Sequence, residues 1–249
     1  MVKDSISAPR GKHDFHPAFN GLRRAMNLSE DTEVRQILGG RTSLVWRLRR
    51  PQGPVLVAKL SCPQKGTPLF PNSPEAEWRA MVALSSKGIA PWPDHLIRAE
   101  EGRCFLVSQA IESCQAIDAH SLSALLAKIH SSPAWPGLEH RPTCEDSILQ
   151  HGASILRSCA GQTWLHRMMP KRTGAGGPIQ PCVLHRDLVP ANTAVTQGNR
   201  AIALDWQCPA IGDPCEDISH ATSPGMQSLT LSAPRLKVET VAEAYPDAQ

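Results

Sequence analysis

No stretch of the chain approaches the run of about 20 apolar residues that a membrane-spanning helix requires, so a membrane partner is not expected. The first residues, MVKDSISAPRGKHDFHPAF, lack the apolar core of a signal peptide. There is no CxxC pair and no histidine at a zinc-like spacing from a cysteine. The eight cysteines are dispersed: Cys62, Cys104, Cys114, Cys144, Cys159, Cys182, Cys208 and Cys215. An even count alone makes no disulfide framework in a chain of this size. They read instead as small apolar residues, most of them buried, in a reducing compartment. A strong charge imbalance is missing as well. The net charge of +3, from scattered Lys and Arg, is too small to indicate nucleic acid, and the basic run RLRR (47–50) reads as the solvated end of a strand. Repeats and long low-complexity segments are absent. These absences point to a cytoplasmic globular protein with neither nucleic acid nor membrane as its partner.

What is present fits that class. The 249 residues suffice for one large domain or two small ones. With 41% hydrophobic and 20% charged residues, the chain is long enough to bury a core without staples. Its first part looks strand-rich. EVRQILGGRTSLVWRLRR gives two β-prone runs about Gly39-Gly40, and GPVLVAKL (53–60) a third. Residues 73–88 predict a helix with a serine cap before proline and Gly88 at its end, with Trp78, Met81, Val82 and Ser85 along one face. Residues 94–111 predict a further hairpin turning at Glu101-Gly102. The second part is richer in helix. Residues 118–132 carry Leu122, Leu125, Leu126 and Ile129 at helical spacing, and 144–169 reads as helical despite Gly152 and Gly161. The resulting division is a first lobe at 1–108, a linker at 109–117 and a second lobe at 118–249.

The chemistry concentrates in PCVLHRDLVPANTAVTQGNRAIALDWQCPAIGDPCED (181–217). Two short apolar runs flank TQGNR, and Gly198-Asn199 is a hairpin turn signal. A turn centred between these two residues sets Asn192 opposite Asp205. Opposed side chains of a hairpin stand roughly 4.5–5.5 Å apart at Cβ. An amide oxygen and a carboxylate brought together in this way suit Mg²⁺, which keeps waters and takes phosphate oxygens. Asp187 enters the same end of the hairpin. A phosphoryl-transfer site needs an Asp at the acceptor hydroxyl, an Asn and an Asp on metal, and a Lys on the phosphates. Lys59 is the lysine candidate. Glu77, with Glu75 as the alternative, would hold it, and the GGRTS turn (Gly40, Thr42 and Ser43) would cover phosphate oxygens with backbone N–H groups. His185 and His130 read as hydrogen-bonded packing residues, Trp206 as core, and Glu216 and Asp217 as candidate caps of a helix starting near Cys215.

In order along the chain, LGGRTSLVW, VAKL, PEAEWRAMVALSSKGIAP, FLVSQAI, LAKIH, LHRDLVPAN, ALDW and GDPCEDIS resemble the motifs of the aminoglycoside phosphotransferase and choline kinase superfamily. The resemblance spans residues 36 to 220. It implies an α+β, bilobal, protein-kinase-like fold: a small antiparallel-sheet N-lobe, a mainly helical C-lobe, and ATP between them. It also implies γ-phosphoryl transfer to a hydroxyl of a small molecule, such as an aminoglycoside, choline or a similar amino alcohol or sugar. Asp187 is then the catalytic Asp, Asn192 and Asp205 hold Mg²⁺, and Lys59 contacts the ATP phosphates. Gln109 to Ile111 offer backbone groups to adenine, and Asp217 is a structural or acceptor-side carboxylate. The chain departs from the pattern at Arg186, where Gly or Asn is commoner, and at Ala191, where Gly is. Only WQCPAI separates Asp205 from Gly212, which leaves no room for the activation segment of a protein kinase. Only 32 residues follow Asp217, so a nucleotide-binding pseudokinase or regulatory module is the alternative reading.

Overall fold

The computed structural model describes residues 18–38, 42–67, 70–99, 102–158, 163–174, 179–227 and 235–245. Its first half comprises α1 (Ala18–Ala25), β1 (Glu33–Ile37), β2 (Ser43–Arg49), β3 (Leu56–Ser61), α2 (Pro74–Leu84), β4 (Pro93–Arg98) and β5 (Cys104–Gln109). Then follow α3 (Ala119–His130), β6 (Glu139–His140), α4 (Glu145–Ser158), β7 (Cys182–Leu184), β8 (Thr193–Val195) and β9 (Ala201–Ala203). The last elements are β10 (Ala210–Gly212), α5 (Pro214–Thr222), α6 (Pro224–Gln227) and α7 (Val238–Ala244). The expected turn residues Gly39, Gly40 and Glu101, and Gly161, lie outside the described residues.

The five strands of the first half form one antiparallel sheet in the order β1-β2-β3-β5-β4. Period-2 alternation divides its faces. Leu56, Ala58 and Leu60 of β3 are buried with Trp46, Leu48, Phe105 and Val107, under Phe19 and Leu22 of α1. The rings of Phe19 and Phe105 lie 5.4 and 5.9 Å from Trp46. Lys59, out of phase with those apolar residues, meets the opposite side of the sheet, where α2 packs. Ser73 caps α2, its Oγ accepting the Ala76 N–H at 3.2 Å, and Pro74 opens the helix where a missing N–H costs nothing. The buried stripe of α2 is Pro74, Glu77, Ala80, Met81 and Leu84. Val82, expected on the inner face, is 55% exposed. The stripe is set by the carboxylate that must reach Lys59, and at 3.6 residues per turn this rotates Val82 outward.

The described residues of the second half supply helices and five short strands, β6 to β10. Asp118 caps α3 through the Ser121 N–H at 2.7 Å, and Leu122, Leu125, Leu126 and Ile129 are all buried. The helix expected over 144–169 is shorter: α4 ends at Ser158, and Thr163–Met168 forms a 3₁₀ turn. β10 lies between β6 and β7. A Cβ at Gly212 would come within 2.8 Å of Arg141 Cβ and 2.9 Å of Leu184 Cδ1, so this junction admits no larger residue without displacement. One apolar cluster joins the halves: Met81, Leu84, Ile89 and Leu106 pack with Leu122, Leu126, Val183, Leu188 and Trp206. The connecting segment is laced to both sides. The Ala110 N–H donates to Val55 O and the Cys114 N–H to Val195 O, while Gln115 bridges Val195.

The cysteines are less buried than expected. Of the seven among the described residues, none of them in a disulfide, Cys104 and Cys208 are buried, whereas Cys114, Cys144 and Cys215 are exposed. The exposed three stand in loops or in a helix's first turn, outside the apolar stripes that would cover them. Among the described residues no helix is long and apolar enough to cross a membrane.

Candidate active site

The segment 185–192 leaves β7 anchored by Leu188 and Val189, whose side chains are buried. His185 is fully buried and its tautomer follows from its partners. Asp187 N–H donates to Nδ1 at 3.2 Å, so Nε2 carries the proton and donates to Leu204 O at 2.9 Å. Burial lowers its pKa, and the ring packs 4.3 Å from that of Trp206, so His185 is a neutral strut.

Arg186 has φ +67°, a backbone state that costs a bulky residue about 1–3 kcal/mol. Two consecutive acids of α5 hold it there. Asp217, wholly buried, accepts the backbone N–H groups of His185 at 2.9 Å and Arg186 at 2.6 Å, and His130 Nε2 at 3.1 Å. Burial by itself would raise the Asp217 pKa. The hydrogen bond and charge of His130 and the backbone donor outweigh it, and the carboxyl lies below its ordinary value. Glu216 takes the Arg186 side chain, Nε to Oε1 at 3.1 Å. Neither acid caps α5: that role falls to Asp213, whose Oδ1 accepts the Cys215 N–H at 2.8 Å. Asp217 is thus a structural clamp on the loop.

The β8–β9 hairpin differs in register from the expectation. Thr193 faces Ala203, and the Leu204 N–H donates to Asn192 O at 2.8 Å, so Leu204, not Asp205, is opposite Asn192. The turn explains the shift. Thr196 N–H bonds Arg200 O at 3.0 Å around three residues, the last being Asn199 with φ +55°. Asparagine tolerates this left-handed state, which makes the loop one residue longer than a two-residue turn. Asp205 falls just past the ladder, itself at φ +65°.

Lys59 Nζ donates to Glu77 Oε2 at 2.7 Å and also to Asp205 Oδ1. Glu75 is turned elsewhere, 3.9 Å from Cys104 Sγ, so the lysine's helix partner is Glu77. Burial pulls the Lys59 pKa down, but the two carboxylates more than reverse this, and the ammonium stays charged. Asp187 stands in the same cluster. Its Oδ2 accepts Asn192 Nδ2 at 3.1 Å and Gln207 Nε2 at 3.4 Å, and Asn192 Nδ2 also reaches Asp187 O at 2.8 Å. Burial, then the charge of Asp205, pushes the Asp187 carboxyl up to about 7. Removing the lysine would strand two carboxylates. Lys59→Met is therefore expected to cost about 3–5 kcal/mol, read as a lower urea midpoint.

The donor set suits a hard cation. With Nδ2 committed to Asp187, Asn192 has only Oδ1 to offer, and the Asp205 side chain keeps 31% exposure. Among the described residues no group of three or more His, Cys, Asp or Glu forms a closed metal cage. Two protein oxygens, with waters and phosphates completing the shell, match Mg²⁺. The remaining expected residues lie around this cluster. Ser43 opens β2, but its hydroxyl is buried opposite Ser61, so only its backbone can face a ligand. Thr42 directly precedes it; Gly40 lies outside the described residues. The Gln109 N–H is spent on Trp92 O at 2.9 Å, which leaves Ile111, just beyond the sheet, as the freer backbone position. Two residues at Asp187 were not anticipated from the sequence: Gln207, which carries no motif, and His220. The latter follows Asp217 by three residues on a helix, a spacing that puts both on one face.

The model of the phosphotransferase enzyme family matches residues 33–245, from β1 through α7. No curated protein matches the chain by sequence. Among solved structures, the macrolide 2'-phosphotransferase MphH from Brachybacterium faecium is similar, at 21% identity and TM-score 0.60, covering 92% of this chain and 81% of that one. The choline kinase LicA from Streptococcus pneumoniae aligns at 19% identity and TM-score 0.57, over 92% and 79% of the two chains. Spectinomycin phosphotransferase APH(9)-Ia, solved with ADP and spectinomycin, aligns at 13% identity and TM-score 0.62, over 92% and 80%. The shared fold is protein-kinase-like, and with the family match over most of its length the chain belongs to the phosphotransferase enzyme family.

Proposed function

We propose that the protein is an ATP- and Mg²⁺-dependent kinase that moves the γ-phosphoryl group to a hydroxyl of a small molecule. The observation that carries this reading is the meeting of Lys59, Glu77 and Asp205 with Asp187 and Asn192, from both halves of the chain. When bound, Mg-ATP supplies the phosphoryl group and the cation charge that offsets its oxygens. The chain's own residues bind and orient. Lys59, kept charged by Glu77, meets the phosphates; Asn192 Oδ1 and Asp205 hold the cation; Thr42 and the backbone of Ser43, with Gly40, cover the phosphate end. Ile111 and the carbonyl of Gln109, in the 109–117 linker between an N-lobe at 1–108 and a C-lobe at 118–249, meet adenine. Asp187 would orient the acceptor hydroxyl and take its proton as the bond to the γ-phosphorus forms and the bond from that phosphorus to the leaving ADP oxygen breaks.

Acceptors named for the similar structures include a macrolide, spectinomycin and choline. We assign this chain a hydroxyl acceptor of that broad kind: an aminoglycoside, choline, or a similar amino alcohol or sugar. The test is transfer from γ-labelled ATP to a panel of amino alcohols, sugars and aminoglycosides. Label is expected on one acceptor class. Tight Mg-ATP binding with no labelled product would favour the pseudokinase alternative instead.

A further inference from the structure

We propose that His220 is a positioning residue for Asp187, donating its Nε2–H to Oδ1 and thereby aiming that oxygen at the acceptor hydroxyl. His220 lies on α5 with Nε2 buried and without a hydrogen-bond partner among the described residues, 3.8 Å from Asp187 Oδ1. Buried polar atoms are rarely left unpaired, and one that is costs about 1–3 kcal/mol. The His220 ring also has an aromatic neighbour. Phe70 meets it edge-on at 5.6 Å and 78°, from the loop whose Ser73 N–H is tied to Gln207 O at 3.2 Å. Asp187 has the complementary deficit. Both amide donors, Asn192 and Gln207, bond Oδ2, which leaves Oδ1 facing His220.

Hydrogen bonds within catalytic groups are often long before substrate arrives and shorten in the productive complex. A displacement of about 1 Å would bring the present separation into the N–H···O range. A carboxylate held on one oxygen only can swing about its last torsion, which is broad for aspartate. A third donor removes that freedom and leaves one lone pair of Oδ1 for the hydroxyl. His220 does this as a neutral donor, since burial holds its pKa below the usual histidine value.

This role rests on the kinase reading, and the test separates the two. Phosphate release from Mg-ATP, with water as acceptor, is measured in wild type, His220→Leu and His220→Gln. His220→Leu is expected to lower kcat about tenfold with the KM for Mg-ATP unchanged. His220→Gln, which restores an N–H near the Nε2 position, is expected to recover most of that loss. Equal activity of His220→Leu and wild type, or equal loss in both variants, would overturn the proposal. Nitrogen NMR of the histidine-labelled protein provides a readout that needs no turnover. It should show His220 as the Nε2–H tautomer, and the Nδ1–H tautomer would overturn the role. Failure of the kinase reading looks different: phosphate release that Asp205→Asn leaves intact.

Discussion

Asp187→Asn is expected to stabilise the protein, measured without metal, at neutral and alkaline pH while cutting turnover about 10²–10⁴-fold, the usual contribution of a positioned base. The two effects share one cause. Asp187 is buried beside Asp205, and its carboxyl is raised from 3.8 to about 7. Between those values the folded state binds a proton that the unfolded state has released, so stability rises as pH falls through that window. Above it, the ionised carboxylate destabilises the fold by up to about 4 kcal/mol, since each pH unit between the two values contributes about 1.4 kcal/mol. An amide carries no such cost. The Tm advantage of Asp187→Asn should be largest above pH 7 and should fade toward pH 4. A melting curve insensitive to pH in the difference between the two proteins would refute the burial of this charge. ATP affinity should change little, because no phosphate contact is assigned to Asp187.

Asp217→Ala should be the most destabilising substitution of a residue that touches no substrate. It leaves the N–H groups of His185 and Arg186 without their acceptor, in a loop already strained at φ +67°, and strands His130 Nε2. Truncating one side of such a buried charged network costs about 3–5 kcal/mol. The expected readout is a lower urea midpoint with an unchanged slope, together with lost turnover even where the variant remains folded. The sign with pH is opposite to that of Asp187. The Asp217 pKa is lowered in the fold, so its contribution is complete above the ordinary carboxylate value near 4 and disappears as pH falls through the folded value. The stability gap between wild type and Asp217→Ala should therefore narrow as pH falls below the ordinary carboxylate value.

How much of this was legible in the sequence varied by residue. The pairing of Lys59 with Glu77 was legible from the order of the motifs, VAKL followed by the acid-bearing helix, and not from the lysine alone. The apolar spacing of α3 was equally plain, and all four of its named residues are buried. The ordered motifs gave the fold class, which a local reading of strands and helices would not have fixed. The hairpin register was lost by one residue, because Asn199 adopts a left-handed state that Gly198-Asn199 signals without locating. The clamp by Asp217 was hidden for another reason. It joins residues 30 and more apart through backbone N–H groups, which have no side-chain signature. Arg186 showed the same limit. Its side chain pairs with Glu216 of α5, and sequence spacing does not reveal that pairing.

Phosphate release from ATP, followed during a Mg²⁺ titration in wild type and Asp205→Asn, tests the assignment of this cluster most directly. Release by the wild type should saturate with Mg²⁺, and Asp205→Asn should lose most of it at every metal concentration. Release that ignores Mg²⁺, or that survives Asp205→Asn unchanged, would contradict a phosphotransferase site built on Lys59, Asp187, Asn192 and Asp205.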